Sequence, residues 1–179
     1  MKKIVPFVFL FSFTQVLLAQ TFVKNIGNPG IDDGITFLSE HNSTIYLAGY
    51  SGKQAYLAAL LEDGELLWKQ YFKFAEGKNF ITDLYINNNE IFICGYGHDA
   101  GTTEFEEFFV KFNSSSKKIE WARKTSLNIK PNNIHFYKDQ IYVTGDEYAK
   151  GKFGLCFLSL DQKNGKINKF ETWYYMGHE

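Results

Sequence analysis

The sequence predicts an all-β fold assembled from repeated four-stranded antiparallel units, and three observations carry that prediction. The first is an internal repeat. Ile45-Tyr46-Leu47-Ala48-Gly49-Tyr50 returns as Ile91-Phe92-Ile93-Cys94-Gly95-Tyr96 and again as Ile141-Tyr142-Val143-Thr144-Gly145-Asp146. Self-similarity at a period of about fifty residues marks a repeat architecture. The second is composition. Aromatic residues make up 18% of the chain, and Phe, Tyr, Ile and Val dominate its apolar set, a bias that suits strands and a packed core. The third is a missing helical period. After residue 19, apolar runs are short and are broken every eight to twelve residues or so by turn residues.

Residues 1–19 stand apart from the rest. Lys2 and Lys3 make a short basic start, Ile4 to Leu18 is apolar except for Ser12, Thr14 and Gln15, and Ala19 offers a small residue before Gln20. This is the layout of a secretory signal peptide, and the apolar run is shorter than the roughly 20 residues that span a bilayer. No Cys follows the cut at the position of a lipoprotein anchor. The expectation is an exported chain, 20–179, that is periplasmic, cell-surface or secreted and has no membrane span after cleavage.

Within the exported chain, windows 35–50, 81–96 and 131–146 align without gaps. Leu38, Leu84 and Ile134 coincide, as do Gly49, Gly95 and Gly145. Each window reads as a β-hairpin turning at His41-Asn42-Ser43, Asn87-Asn88-Asn89 or Tyr137-Lys138-Asp139, because Asn and Asp tolerate positive φ and bond their own backbone. A third strand follows at 55–60, 107–112 and 155–160. Polar turns come next at Glu62-Asp63-Gly64, 113–116 and 161–165. A fourth strand opens on an aromatic: Trp68, Trp121 or Phe170. The glycine after each second strand lets backbone approach closely, which predicts tight packing of the units around an axis.

Four short antiparallel strands per repeat describe a β-propeller blade. The predicted fold class is all-β: three blades, approximately 21–67, 68–120 and 121–169, plus the start of a fourth at 170–179. Closed propellers have about four to eight blades, so an incomplete propeller is expected. Either the chain is the N-terminal part of a longer one, which the stop within a repeat favours, or the blades form an open array or close by oligomerising.

Two repeat families share these residues. Gly27-Asn28-Pro29-Gly30-Ile31-Asp32-Asp33 through Ile45-Tyr46-Leu47-Ala48-Gly49-Tyr50-Ser51-Gly52 resembles the SBBP-type bacterial β-propeller repeat. Leu61-Glu62-Asp63-Gly64-Glu65-Leu66-Leu67-Trp68, with Phe112 to Trp121 and Leu160 to Phe170, resembles the quinoprotein-like (PQQ-like) repeat. The second repeat departs from this pattern by lacking Gly in its outer turn, and the third by carrying Phe170 for Trp. The metal ligands and catalytic acid of quinoprotein enzymes have no counterpart here. The resemblance therefore implies a blade scaffold and no quinone cofactor.

Candidate chemistry is sparse. A formal net charge of −1 argues against nucleic acid, which calls for clustered Lys and Arg. His41, His98, His135 and His178 are scattered and show no metal-ligand spacing. Two cysteines, Cys94 and Cys156, are expected as buried free thiols. Asp32-Asp33-Gly34 begins like a calcium loop but lacks the remaining oxygen ligands. The longest insertion, Gly97 to Glu107, carries His98, Asp99, Thr102, Thr103, Glu104, Glu106 and Glu107. It reads as a solvated acidic loop at the place where binding loops reside. Corresponding loops hold Tyr50 and Ser51 in blade one and Asp146, Glu147 and Tyr148 in blade three. Tyr50, His98, Asp99, Glu104, Asp146, Glu147 and Tyr148 are thus the candidate binding surface. No catalytic, metal or cofactor residues are expected. The function expected is a non-catalytic exported module that binds a protein or glycan. The alternative is part of an extracytoplasmic enzyme whose catalytic residues lie in blades or domains outside this sequence.

Overall fold

The computed structural model describes residues 27, 29–99, 102, 104–149 and 152–174. The predicted signal peptide, Thr103, His178 and the side chain of Tyr148 lie outside the described residues. Among the described residues every regular element is a strand. Three four-stranded antiparallel sheets form in chain order. The first contains β1 (Asp33–His41), β2 (Thr44–Ser51), β3 (Gln54–Leu61) and β4 (Leu66–Phe72). The second contains β5 (Lys78–Asn87), β6 (Glu90–His98), β7 (Glu106–Asn113) and β8 (Lys118–Thr125). The third contains β9 (Ile129–Tyr137), β10 (Gln140–Ala149), β11 (Lys152–Asp161) and β12 (Ile167–Tyr174). Within each sheet the spatial order is the sequence order, the meander of a propeller blade. Sheet limits are offset from the sequence repeat. The strand carrying Trp68 closes the first sheet, and residues 170–174 complete the third.

The hairpin turns form where their residues predict. Asn42, Ser43, Asn88, Lys138 and Asp139 all take positive φ, between 46° and 62°. In the outer turns Gly64 and Gly165 are left-handed at φ 82° and 67°, and Lys117 takes that conformation at 57° in the repeat that lacks Gly. A single left-handed Lys is affordable in a turn where its side chain stays in water.

The repeated glycine has a cause inside the blade, not between blades. In every sheet the first strand carries a bulge: between Ile35 and Phe37, between Ile81 and Asp83, and opposite Thr144 and Gly145 in β9. The bulge pushes one strand-one carbonyl towards strand two. A Cβ on Gly49, Gly95 or Gly145 would strike the carbonyl oxygen of Gly34, Phe80 or Lys130 respectively. Packing around an axis, the reason expected from sequence, is therefore replaced by a close approach within each hairpin.

Each sheet turns a front face to the following sheet and a back face to the preceding one. Tyr46, Ala48, Leu57, Ala59 and Phe72 on the first sheet pack on Ile81, Leu84, Ile91, Ile93, Phe108, Val110 and Phe112 of the second. Phe92, Cys94, Phe109 and Trp121 of the second pack on Ile134, Ile141, Val143, Leu158 and Leu160 of the third. At about 25 cal/mol per Å² of apolar surface removed from water, such paired faces supply most of the driving force for folding. Cys94 and Cys156 are free thiols within the second of these cores. Burial pushes both up to about 12, so neither is a ready nucleophile.

One aromatic changes sides. Trp68 pairs with Ala59 and Trp121 with Lys111, but the corresponding partner of Ser159 is Lys169. Phe170 pairs with Leu158 and packs into the core between the second and third sheets. The aromatic aligned with Trp68 and Trp121 in sequence is thus displaced by one residue, and one residue inverts the face.

Polar groups fasten the sheets together. Asp83 Oδ2 accepts from the Ile134 amide at 2.8 Å, across the second interface. Burial holds the Asp83 carboxyl above its ordinary range, against the lowering effect of hydrogen bonds from the Ile134 and Leu84 amides. A raised folded-state pKa means stability that is full below the ordinary value of 3.8 and declines as pH rises through the folded value. Asn133 already occupies the corresponding place in the third sheet, since Cys94 pairs with Asp83 and Thr144 with Asn133. Asp83→Asn keeps an acceptor without the buried charge. The variant should therefore unfold at higher urea than the parent at pH 7, with the gap closing towards pH 3. A gap that widened on acidification would reverse the assignment.

Candidate functional site

The ends of β2, β4 and β6 and the starts of β3, β5 and β7 lie at one end of the sheets, and there the linker between the first two blades is organised by one residue. Asn79 is fully buried. Its Oδ1 accepts from the amides of Phe74 and Ala75, each at 2.8 Å. Its Nδ2 donates to the carbonyls of Lys53, Ala75 and Gly77 at 2.8, 3.0 and 3.1 Å. A neutral amide can both donate and accept, so this one side chain holds the Ser51–Gln54 turn against the β4–β5 linker. The Asp99 carboxylate extends the arrangement by accepting from the Gly77 amide at 2.7 Å.

Between these loops lies an open cleft of about 600 Å³, lined by Asp32, Gly52, Lys53, Glu76, Gly77, Lys78, His98 and Asp99. Three of its charged residues are held in ion pairs. Lys78 Nζ sits 2.6 Å from Asp32 Oδ2 and Lys73 Nζ sits 2.7 Å from Glu76 Oε2. Lys78 also lies over the Tyr50 ring, 5.8 Å from its centroid. Tyr50 meets Phe80 edge-on at 4.9 Å, and Phe80 stacks with His98 at 6.0 Å. A row of half-buried rings thus backs a rim of fixed charges. Hydrogen bonding to Asp32 raises the Lys78 pKa, and hydrogen bonding to Lys73 lowers that of Glu76. Each pairing favours the charged form of the group it holds.

His98 and Asp99 therefore line this cleft, and Tyr50 adjoins it through Lys78. Glu104 is exposed in the loop before β7 and does not line it. Asp146 lies on the third sheet, where Asn132 Nδ2 donates to it at 2.9 Å, beside a separate hollow of about 280 Å³. Glu147 is 6% exposed and points away from the loop surface, into the side facing the second sheet. The six candidate residues whose side chains are described do not form one continuous patch. Lys53, Glu76 and Lys78, which with Asp32 complete the cleft, carry no repeat signal in the sequence. Their only trace is that each stands within two residues of a glycine or turn.

Glu107, expected in a solvated acidic loop, is fully buried. Its carboxylate accepts from Thr125 Oγ1 at 2.6 Å and from the amides of Leu127 and Ile129 at 2.9 and 2.8 Å. It does for the second linker what Asn79 does for the first. Among the described residues no group of three or more His, Cys, Asp or Glu side chains is placed to hold a metal ion.

No protein-family model matches the chain, and no curated protein matches it. Among solved structures it is similar to quinohemoprotein alcohol dehydrogenase ADHIIG from Pseudomonas putida HK5, at 12% identity and a TM-score of 0.54. The match covers 75% of this chain and 26% of that one, so the chain spans about a quarter of that protein's length. At this identity the likeness is one of fold alone, and with the three meander sheets it makes the architecture propeller-like.

Proposed function

We propose that this chain is a non-catalytic, exported β-propeller module that binds a polar ligand, a glycan or a peptide segment, in the cleft between its first two blades. One observation carries the reading. Two fixed ion pairs at the cleft, Lys78–Asp32 and Lys73–Glu76, stand beside the ring faces of Tyr50 and Phe80. Such a surface suits recognition of a polar ligand. Lys53, exposed at the rim, and the Lys78–Asp32 pair are the polar contacts, and Tyr50 is the stacking platform.

The test is binding of the labelled chain to arrayed glycans and peptides, followed by titration of the strongest binder. Tyr50→Ala and the charge reversal Lys53→Glu should each weaken that ligand at least tenfold, while Glu104→Gln, outside the cleft, should not. Binding that all three variants retain would move the site elsewhere. Turnover of the bound glycan by the parent chain would overturn the non-catalytic reading.

A further inference from the structure

The turns that join β1 to β2 and β3 to β4, with their counterparts in the other sheets, lie at the opposite end of the sheets from the cleft. Their charges are sorted by blade. In and beside the turns of the first sheet stand Glu40, Glu62, Asp63 and Glu65, all exposed, with no lysine or arginine. In and beside the turns of the second and third sheets stand Lys117, Lys118, Lys138, Lys163 and Lys166, also exposed. Contacts between turns join these lysines into one surface. Trp121 Nε1 donates to the Gln162 carbonyl and Arg123 Nε to the Asn164 carbonyl, each at 2.9 Å. The β11–β12 turn is thereby seated on β8, which begins at Lys118. Gln162 Nε2 donates to Asp139 Oδ1 at 3.3 Å and draws in the β9–β10 turn with Tyr137 and Lys138. The carboxylates of this region are already engaged. Glu90 and Glu120 share Lys111. Asp161 accepts from the Lys163 and Asn164 amides, and Asp139 from Gln162. Among the described residues none of the five lysines belongs to an ion pair. Beside them the Tyr137 ring is 55% exposed, with Lys138 Nζ 5.0 Å from its centroid.

We infer that this end of the second and third blades binds an acidic polysaccharide, a chain of carboxylated sugar rings, at a surface separate from the cleft. Uncompensated lysines gathered on one surface make a positive field that concentrates a polyanion. The acidic turns of the first blade repel the same polymer and confine it to the second and third. The cations are ammonium point charges, and the neighbouring guanidinium, Arg123, is tied by its Nε to the Asn164 carbonyl. Point charges spread over several turns match carboxylates spaced along a polymer, whereas planar two-point capture of a single anion calls for a free Arg fork. Tyr137 adds what charge alone does not supply. An exposed ring takes the apolar C–H face of a sugar, and its hydroxyl meets the wet edge. Lys138, held against that ring, sets a cation where the carboxylate of a stacked sugar acid falls. Charge and ring together select an acidic sugar over a neutral glycan, which lacks the carboxylates, and over an acidic peptide, which lacks the rings.

The experiment is calorimetric titration of the chain, purified from its expressing cells, with a short oligogalacturonate, with the methyl ester of the same oligomer and with polyaspartate. The expected result is binding of the oligogalacturonate, at least tenfold tighter than that of either control. Raising sodium chloride from about 50 to about 300 mM, which shortens the screening length, should weaken it severalfold. The double charge reversal Lys163→Glu with Lys166→Glu should raise the Kd at least tenfold and Tyr137→Ala at least threefold. All three positions are exposed, so the unfolding temperature should not move. Lys53→Glu, at the cleft, should leave this binding unchanged, which separates the surface from whatever the cleft takes. No binding of the oligogalacturonate, equal binding of its methyl ester, or affinity indifferent to the lysine reversal would each overturn the proposal. Polyaspartate bound as tightly as the sugar acid, with no loss in Tyr137→Ala, would overturn it in favour of an acidic peptide.

Discussion

Glu107→Ala is expected to destabilise the chain by about 2–5 kcal/mol. The carboxylate is fully buried and satisfies three donors: the Thr125 hydroxyl and the Leu127 and Ile129 amides. Truncation leaves two backbone amides buried without an acceptor, at roughly 1–3 kcal/mol each, together with the lost hydroxyl bond. A total of this size is a large part of the roughly 5–15 kcal/mol that holds a domain folded. Glu107→Gln keeps one acceptor oxygen but turns an amide donor towards other donors, so it should fall between parent and alanine. Urea unfolding measures all three. Hydrogen exchange adds location: the amides of Leu127 and Ile129 should exchange faster in the alanine variant than those of β2 and β3. An alanine variant within 1 kcal/mol of the parent would mean that the linker is held by something else.

The same residue shows where sequence reading reaches its limit. Glu107 follows Glu104, Phe105 and Glu106, and an acidic run reads as solvated. Only alignment with Ala55, a buried position of the third strand, hints at burial, and that register becomes definite only with the pairing of Tyr96 to Glu107 and Tyr50 to Ala55. The hairpins were legible because their causes are local: Asn42, Asn88 and Asp139 supply positive φ within a few residues of the strands they join. Phe170 was misplaced by one residue because it stands three places after the residue paired with Leu160, where Trp68 and Trp121 stand two places after theirs, and the bulge between is the same in all three sheets. The cleft was half legible. His98 and Asp99, which line it, and Tyr50 beside it stand at the ends of second strands, where variable loops are expected. Asp32, Glu76 and Lys78 reach the same place from a chain start and a linker, and only the packing of one blade on the next brings them together.

Gly95→Ala is the second change with a large expected effect, about 2–3 kcal/mol of destabilisation, and it tests why the glycine repeats. Alanine is ordinarily favoured over glycine in a strand by roughly 0.5–1 kcal/mol of backbone entropy, so a loss requires a steric cause. At Gly95 the added methyl would strike both the Phe80 carbonyl and the Phe108 ring. At Gly49 and Gly145 it would strike backbone only, at Gly34 and at Lys130. Overpacking of this kind costs about 1–3 kcal/mol. Gly95→Ala should therefore be the worst of the three in thermal or urea unfolding, with Gly49→Ala and Gly145→Ala alike and milder. Phe108→Leu makes room on one side of Gly95 only. It should recover part of the loss in Gly95→Ala and none in Gly49→Ala. If instead all three alanine variants lost the same amount and Phe108→Leu rescued none, the cause would lie wholly in the bulged carbonyl. If none lost stability, the glycine would have to be explained by a ligand that approaches the backbone and not by the hairpin that carries it.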